Sequence, residues 1–279
     1  MTETRERFCP LCSTRYPSST EACAADGYPL ADVGVGDDLS GSMLRDKYAL
    51  VKRLGTGAFG SVYKAVHRLA RTEVAVKILH GEHQQDADVR KRFLKEAQVV
   101  MRLKSPQTVK VNDIDEDEQG HLFIVMELLH GRELADLLED TRAEGRLLPH
   151  QKVVELIKPI CLSLEEAHDL GVIHRDLKPA NVMLVQTRDG SEAVKVVDFG
   201  IARITESSGS GLTMTETMDS GTISGTPTYM SPEQCLGKEL DGRTDLYGLG
   251  VMMYEMVTGA RPFTSSTSQG LMLAHVTET

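Results

Sequence analysis

A chain of 279 residues has room for roughly two domains of ordinary size, and 41% apolar with 26% charged residues excludes wholesale disorder. A formal net charge of −10 argues against a nucleic-acid binder, because a phosphate backbone is normally met by Lys and Arg. The longest apolar runs, such as Leu122 to Met126, fall far short of the roughly 20 residues that span a bilayer, and the N-terminus lacks a signal-peptide core; a cytoplasmic chain with no membrane segment is expected.

Three of the five cysteines, Cys9, Cys12 and Cys23, crowd the start of the chain, while Cys161 and Cys235 stand alone. An odd, clustered set points to metal rather than disulfides. Cys9-x2-Cys12 and Cys23-x2-Asp26 have the paired spacing of a tetrahedral zinc site, with a carboxylate where a fourth thiolate is usual. Residues 1–30 therefore resemble a small zinc-ribbon-like module, with Phe8, Tyr16 and Tyr28 as a minimal core and Zn²⁺ supplying most of the folding energy. Asp26 fits as fourth ligand, although water or a residue from elsewhere also completes such a site; the competing reading is a disordered leader with three free thiols. Residues 31–47, rich in Gly, Asp and Ser with no hydrophobic period, read as a flexible acidic linker.

An ordered pattern begins at Tyr48. Gly55-x-Gly57-x-x-Gly60 lies between two strand-like runs, Leu50 to Leu54 and Val62 to Val66, which favours a hairpin lid over ATP phosphates rather than a Rossmann turn leading into a helix. Val74 to Leu79 alternates as a strand, so Ala75 and Lys77 share a face. Val89 to Leu103 reads as a helix with an apolar stripe of Val89, Phe93, Ala97, Val100 and Met101, flanked by Glu96. The acids of Asn112 to Gly120 read as a solvated turn between strands, and Leu122 to Leu129 as a strand. Pro149 to Gly171 reads as one long buried helix with a kink or local break expected at Lys158, before Pro159, and with His168 on its core side as a structural histidine.

His174-Arg175-Asp176-Leu177-Lys178-Pro179-Ala180-Asn181 carries the chemistry. An acid, a lysine two residues on and an amide five residues on can set a base, a phosphate contact and a metal ligand around one transferring phosphoryl group. Seventeen residues after Asn181 comes Asp198-Phe199-Gly200. Residues 205–224 are rich in Ser, Thr and Gly, and they lead into Gly225-Thr226-Pro227-Thr228-Tyr229-Met230-Ser231-Pro232-Glu233.

These motifs resemble the eukaryotic-type serine/threonine protein kinases found in bacteria. The resemblance covers residues 48–279 and implies an α+β, bilobal protein-kinase fold, with a small β-rich lobe, helix C and a larger helical lobe. It implies ATP and Mg²⁺ as cofactors, Asp176, Lys178, Lys77 and Glu96 as catalytic residues, and Asn181 and Asp198 as Mg²⁺ ligands. Gly55, Gly57, Gly60, Val62, Ala75, Lys77, Met126, Glu127, Leu129 and Met183 would hold the nucleotide. Ser231 stands where the family usually has Ala, a harmless change on this reading, and Asp245 would buttress the catalytic-loop backbone. Arg175, by resemblance, grips a phosphate on the activation segment, with Thr217, Ser220 and Thr222 the expected acceptors, modified by another copy of the kinase; Thr226 would instead help dock substrate. Such kinases normally continue through further helices, one bearing an Arg partner for Glu233, so a fragment with Glu233 poorly compensated and apolar surface exposed is expected. Protein substrates bearing Ser or Thr follow from the resemblance. The alternatives are a non-catalytic binding or scaffolding protein and a small-molecule phosphotransferase, the latter lacking the Thr226 to Glu233 motif.

Overall fold

The computed structural model describes residues 6–57, 60–80, 87–187, 189–199 and 227–278. Ala58, Phe59, Gly200, the segment 205–224 with Thr217, Ser220 and Thr222, and Thr226 lie outside them, as does the side chain of Glu96. The chain divides into two compact units, Met1–Leu94 with Val111–Leu128, and Lys95–Lys110 with Leu129–Thr279.

The first unit holds two antiparallel sheets. Strands β1 (Glu6–Phe8), β2 (Arg15–Pro17) and β3 (Ala31–Asp32) form a three-stranded sheet in the order β2-β1-β3. Strands β4 (Met43–Leu44), β5 (Tyr48–Thr56), β6 (Gly60–His67), β7 (Thr72–Leu79), β8 (Val111–Glu116) and β9 (Leu122–Glu127) form a six-stranded sheet in the order β4-β5-β6-β7-β9-β8. One face of the larger sheet is its core, built on Leu50, Tyr63, Val76, Ile78, Phe123 and Val125; β-branched and aromatic residues suit that pleated, buried surface.

Two readings of this unit are corrected. Residues 31–47 are not a flexible linker, since they carry β3 and β4. Between these strands Gly34 N–H donates to the Ser40 carbonyl at 2.7 Å, Leu39 N–H to the Tyr63 hydroxyl at 3.2 Å and Gly41 N–H to the Leu50 carbonyl at 2.8 Å. The backbone of so polar a segment is satisfied by the neighbouring sheet, which its own composition could not foretell. The acids of 112–120 are likewise not only a turn: Asn112 to Glu116 belong to the edge strand β8, where Asp113 meets Lys47 at 2.6 Å and Glu116 meets Arg90 at 2.6 Å. Charges on an edge strand also discourage pairing with a further chain.

Helix α1 (Ala87–Val100) buries Phe93, Ala97 and Val100 of the expected stripe, while Met101 lies beyond its end and is exposed; the side chain of Val89 lies outside the described residues. In the second unit, β10 (Gly131–Glu133), β11 (Val182–Gln186) and β12 (Glu192–Val196) form a small antiparallel sheet. Around it stand α2 (Leu134–Ala143), α3 (His150–Asp169), α4 (Pro232–Cys235), α5 (Arg243–Thr258) and α6 (Ser268–Thr277). Helix α3 continues through Pro159 as one helix, as expected, and without the local break that was one of the two expectations there. Burial of Val153, Leu156, Ile160 and Leu164 against α5 and β12 anchors both halves and offsets the backbone bond that Pro159 cannot make.

Candidate active site

The register of the larger sheet sets one half of the candidate residues. Gly55 pairs with Val62, Val62 with Lys77, Lys77 with Ile124, and Ala75 with Met126. Residues opposite one another on antiparallel strands share a face, as do residues two apart on one strand. Gly55, Val62, Ala75, Lys77 and Met126 therefore line the face opposite the core, with Glu127 half-buried at the end of β9. The glycines divide by cause. A Cβ at Gly60 would run into the Ile78 carbonyl, so sheet packing alone requires glycine there, whereas at Gly55 a Cβ would meet nothing. Gly57 N–H closes the hairpin onto the Gly60 carbonyl at 2.9 Å.

The loop 174–181 is fixed from beneath by Asp245, a 1% exposed carboxylate in the first turn of α5. One oxygen accepts from His174 N–H at 2.8 Å and from His168 Nε2 at 2.7 Å, and the other from Arg175 N–H at 2.9 Å. His168 is thus structural, and the carboxylate holds the turn in which Arg175 adopts the left-handed φ of 64°. Beyond it, Asn181 Nδ2 donates to the Asp176 carbonyl at 2.7 Å and to its carboxylate at 3.1 Å, and Lys178 Nζ lies 2.8 Å from the same carboxylate. With Nδ2 so committed, the Asn181 amide keeps its oxygen as the acceptor for a metal. A 3₁₀ turn at Pro179–Asn181 leads into β11, whose hairpin with β12 returns the chain to Asp198. Asp198 has φ 56°, Phe199 behind it is buried with its ring 4.7 Å from that of His174, and His174 Nε2 donates to the Val197 carbonyl at 3.0 Å. Met183 pairs with Glu133 in the same small sheet, and Leu129 is half-buried in this second unit. Oxygen donors such as Asn181 and Asp198 suit Mg²⁺.

A separate cluster lies in the turns beside the smaller sheet of the first unit. Ligand atoms of Cys9, Cys12, Cys23 and Asp26 all lie within 4.8 Å of one another. Cys12 and Cys23 sulfurs are 3.5 Å apart, and the Cys9 sulfur is 3.3 Å from an Asp26 oxygen; tetrahedral Zn–S bonds of about 2.3 Å would set sulfurs about 3.7 Å apart. The two halves repeat one geometry. Ser13 N–H donates to the Cys9 carbonyl and Gly27 N–H to the Cys23 carbonyl, both at 2.9 Å, with left-handed φ of 63° and 71° at the two donors. Asp26 thus stands in the second turn where Cys12 stands in the first. Burial pushes the Cys9 thiol up to about 12; metal binding to a thiol displaces its proton.

Residues 48–279 match the family model described as the protein kinase domain. The chain belongs to the protein kinase family. Its relatives include serine/threonine-protein kinase pkn3 of Myxococcus xanthus, 39% identical over 244 residues, which are 87% of this chain and 43% of that protein. PknB of Mycobacterium tuberculosis is 39% identical over 240 residues, 85% of this chain and 36% of that protein. The chain thus spans well under half the length of these curated relatives. The kinase domain of Mycobacterium tuberculosis PknI superposes with a TM-score of 0.62 at 30% identity, covering 81% of this chain and 80% of that one. The family match begins at Tyr48, so the cysteine cluster lies outside it.

Within the kinase domain, reading the residues alone missed three contacts. Ser231, taken as a harmless replacement of Ala, is wholly buried and caps α4: its hydroxyl accepts from Gln234 N–H at 3.3 Å while the Gln234 side chain accepts from Ser231 N–H at 3.0 Å. The same Gln234 donates to the Arg175 carbonyl at 2.7 Å, joining α4 to the catalytic loop. The Tyr229 hydroxyl donates to Glu255 of α5 at 2.5 Å. The capping pattern Ser-x-x-Gln was the available signal for the first. Glu233, expected to lack compensation, accepts from the Thr244 hydroxyl at 2.8 Å. Burial opposes its ionisation, yet that bond and those of its own turn hold its carboxyl below the usual range.

Proposed function

We propose that the chain is the catalytic part of an ATP- and Mg²⁺-dependent serine/threonine protein kinase with a zinc-binding N-terminal module. The observation that carries the reading is the bracing of the Asp176 carboxylate by Asn181 and Lys178, above a loop backbone held by Asp245. In this reading Asp176 takes the proton of the attacking hydroxyl and Lys178 neutralises the migrating phosphoryl group. Asn181 and Asp198 are the ligands for Mg²⁺, which when bound offsets charge on the β- and γ-phosphates. By the family resemblance Lys77, with Glu96 as its expected partner, would hold the α- and β-phosphates against the hairpin of Gly55, Gly57 and Gly60. Val62, Ala75, Met126 and Met183 pack on adenine, and the backbone at Glu127 and Leu129 bonds its edge. Cys9, Cys12, Cys23 and Asp26 take Zn²⁺, whose role there is structural.

The test is transfer from labelled ATP to a basic protein substrate. Asp176→Asn is expected to lower turnover by roughly 100- to 10,000-fold with nucleotide affinity nearly unchanged, because the base acts on the hydroxyl. Lys77→Met is expected to weaken both. Wild-type turnover with Asn at 176 would overturn the mechanism. Activation by phosphorylation between Thr213 and Ser224, by another copy of the chain, completes the proposal: a phosphate adds about −1.5 to −2 charges for Arg175 to grip. Phosphopeptide mapping of an active preparation that finds no phosphate there would remove this step.

A further inference from the structure

The cysteine cluster and the nucleotide-side hairpin belong to one compact unit, and the contacts between them are specific. Leu11 lies inside the Cys9-x2-Cys12 turn, and its carbonyl accepts from Arg68 Nε at 2.9 Å. Arg68 stands in the turn between β6 and β7; its own N–H donates to the Lys47 carbonyl at 2.9 Å and its Nη1 to the Asp46 carbonyl at 3.4 Å, where β5 begins. One side chain thereby ties the first cysteine turn to the base of the β5–β6 hairpin. A second tie is apolar. Phe8, the residue before Cys9, is 2% exposed and packs with Ala31 and with Ala49 of β5 among Val33, Met43 and Val51. A third runs along the backbone, where Val33 N–H donates to the Glu6 carbonyl at 3.0 Å and carries the pairing of β3 with β1 toward the ordered segment 34–42.

We infer that metal occupancy at Cys9, Cys12, Cys23 and Asp26 is coupled through Arg68 and Phe8 to the stability of the β5–β6 hairpin, so that the cluster is a staple of the kinase's six-stranded sheet and not a separately tethered module. The inference rests on the zinc reading above. Its physical basis is that a turn whose four ligands are held by one ion presents the Leu11 carbonyl and the Phe8 ring in fixed positions, whereas the metal-free turn has only a three-stranded scrap of sheet to order it. Binding to the folded form alone must then stabilise whatever the turn is packed against. The hairpin concerned carries Gly55 and Gly57, so zinc supply would be felt at the nucleotide face with no ligand atom contributed there.

Hydrogen exchange of the full chain, compared between a zinc-loaded sample and one dialysed against chelator under reducing conditions, tests this, with zinc content measured in each. The expected result is one zinc per chain and exchange slower by about tenfold or more in the loaded form, within residues 48–56 and 60–67 as well as 6–32. Arg68→Ala is expected to keep its zinc while the difference in 48–67 shrinks several-fold; Arg68→Lys, which keeps the charge without the Nε donor, serves if the alanine variant does not fold. Bound zinc with identical exchange in 48–67 would overturn the coupling and leave the metal site standing, as would an undiminished difference in both Arg68 variants that retain zinc. No zinc in the wild-type chain, or equal zinc in Cys12→Ala, would overturn the metal site and the coupling together.

Discussion

Asp245 commits one buried carboxylate to two backbone N–H groups and an imidazole, so the geometry of the loop 174–181 depends on a residue of α5 that lies outside it. In Asp245→Asn an amide NH₂ must face a donor, and the buried loop loses at least one charge-assisted bond. A loss of about 2–3 kcal/mol is expected in denaturant unfolding, with turnover falling while Asp176 itself is untouched. Ser231 makes a smaller case. Ser231→Ala removes the hydroxyl that caps α4 and should cost about 1 kcal/mol by the same measurement. Stability equal to wild type would show that the cap is redundant.

At the scale of elements, α5 is held by Glu255, 3% exposed, which lies 2.6 Å from Arg142 of α2 and 3.3 Å from Arg261 and accepts from Tyr229. The Tyr229 hydroxyl titrates well above the ordinary tyrosine range, first because it is buried and then because Glu255 lies against it, so it remains a donor at every working pH. Glu255→Gln leaves two half-exposed arginines without their carboxylate. Discounted for that exposure, the cost should be about 1–3 kcal/mol, read as a lowered thermal midpoint, and Tyr229→Phe should cost less because the two ion pairs survive. Gly259 ends α5 in the left-handed region at φ 71°, which closes the helix beside this cluster.

For the whole molecule, pH dependence should show on the acid side. Burial opposes ionisation of Asp113, but hydrogen bonds from Lys47 and Tyr48 prevail and set its carboxyl below the ordinary value. A depressed folded pKa gives stability that is present above the unfolded value, near 3.9, and is lost as pH falls through the folded one. Lys47 is shifted upward by the same pair, so its share is present below its unfolded value and lost only at strongly alkaline pH. Both side chains are about a third exposed, which holds the effect to roughly 1 kcal/mol or less. Asp113→Asn should therefore lower stability at pH 7 slightly and flatten its fall below about pH 4. A thermal-midpoint profile parallel to wild type would contradict this. Among the described residues no helix is long and apolar enough to cross a membrane.

The sequence by itself determined the kinase family and the membership of the loop 174–181, because Asp176, Lys178 and Asn181 fall within one short stretch whose spacing is written in nearly consecutive residues. Strand alternation likewise put Ala75 and Lys77 on one face without any knowledge of their neighbours. The grouping of Cys9, Cys12, Cys23 and Asp26 was legible too, since Cys9-x2-Cys12 and Cys23-x2-Asp26 are both local turns. Only tertiary structure decided that Met126 and Val62 share the face of Lys77, which depends on register between strands far apart in the chain. The same holds for the order found in 31–47, whose polar backbone is satisfied in part by a sheet that its own residues do not specify. The link from Leu11 through Arg68 to the start of β5 joins residues 57 apart in the chain, and no local pattern encodes a contact made by one arginine across that distance.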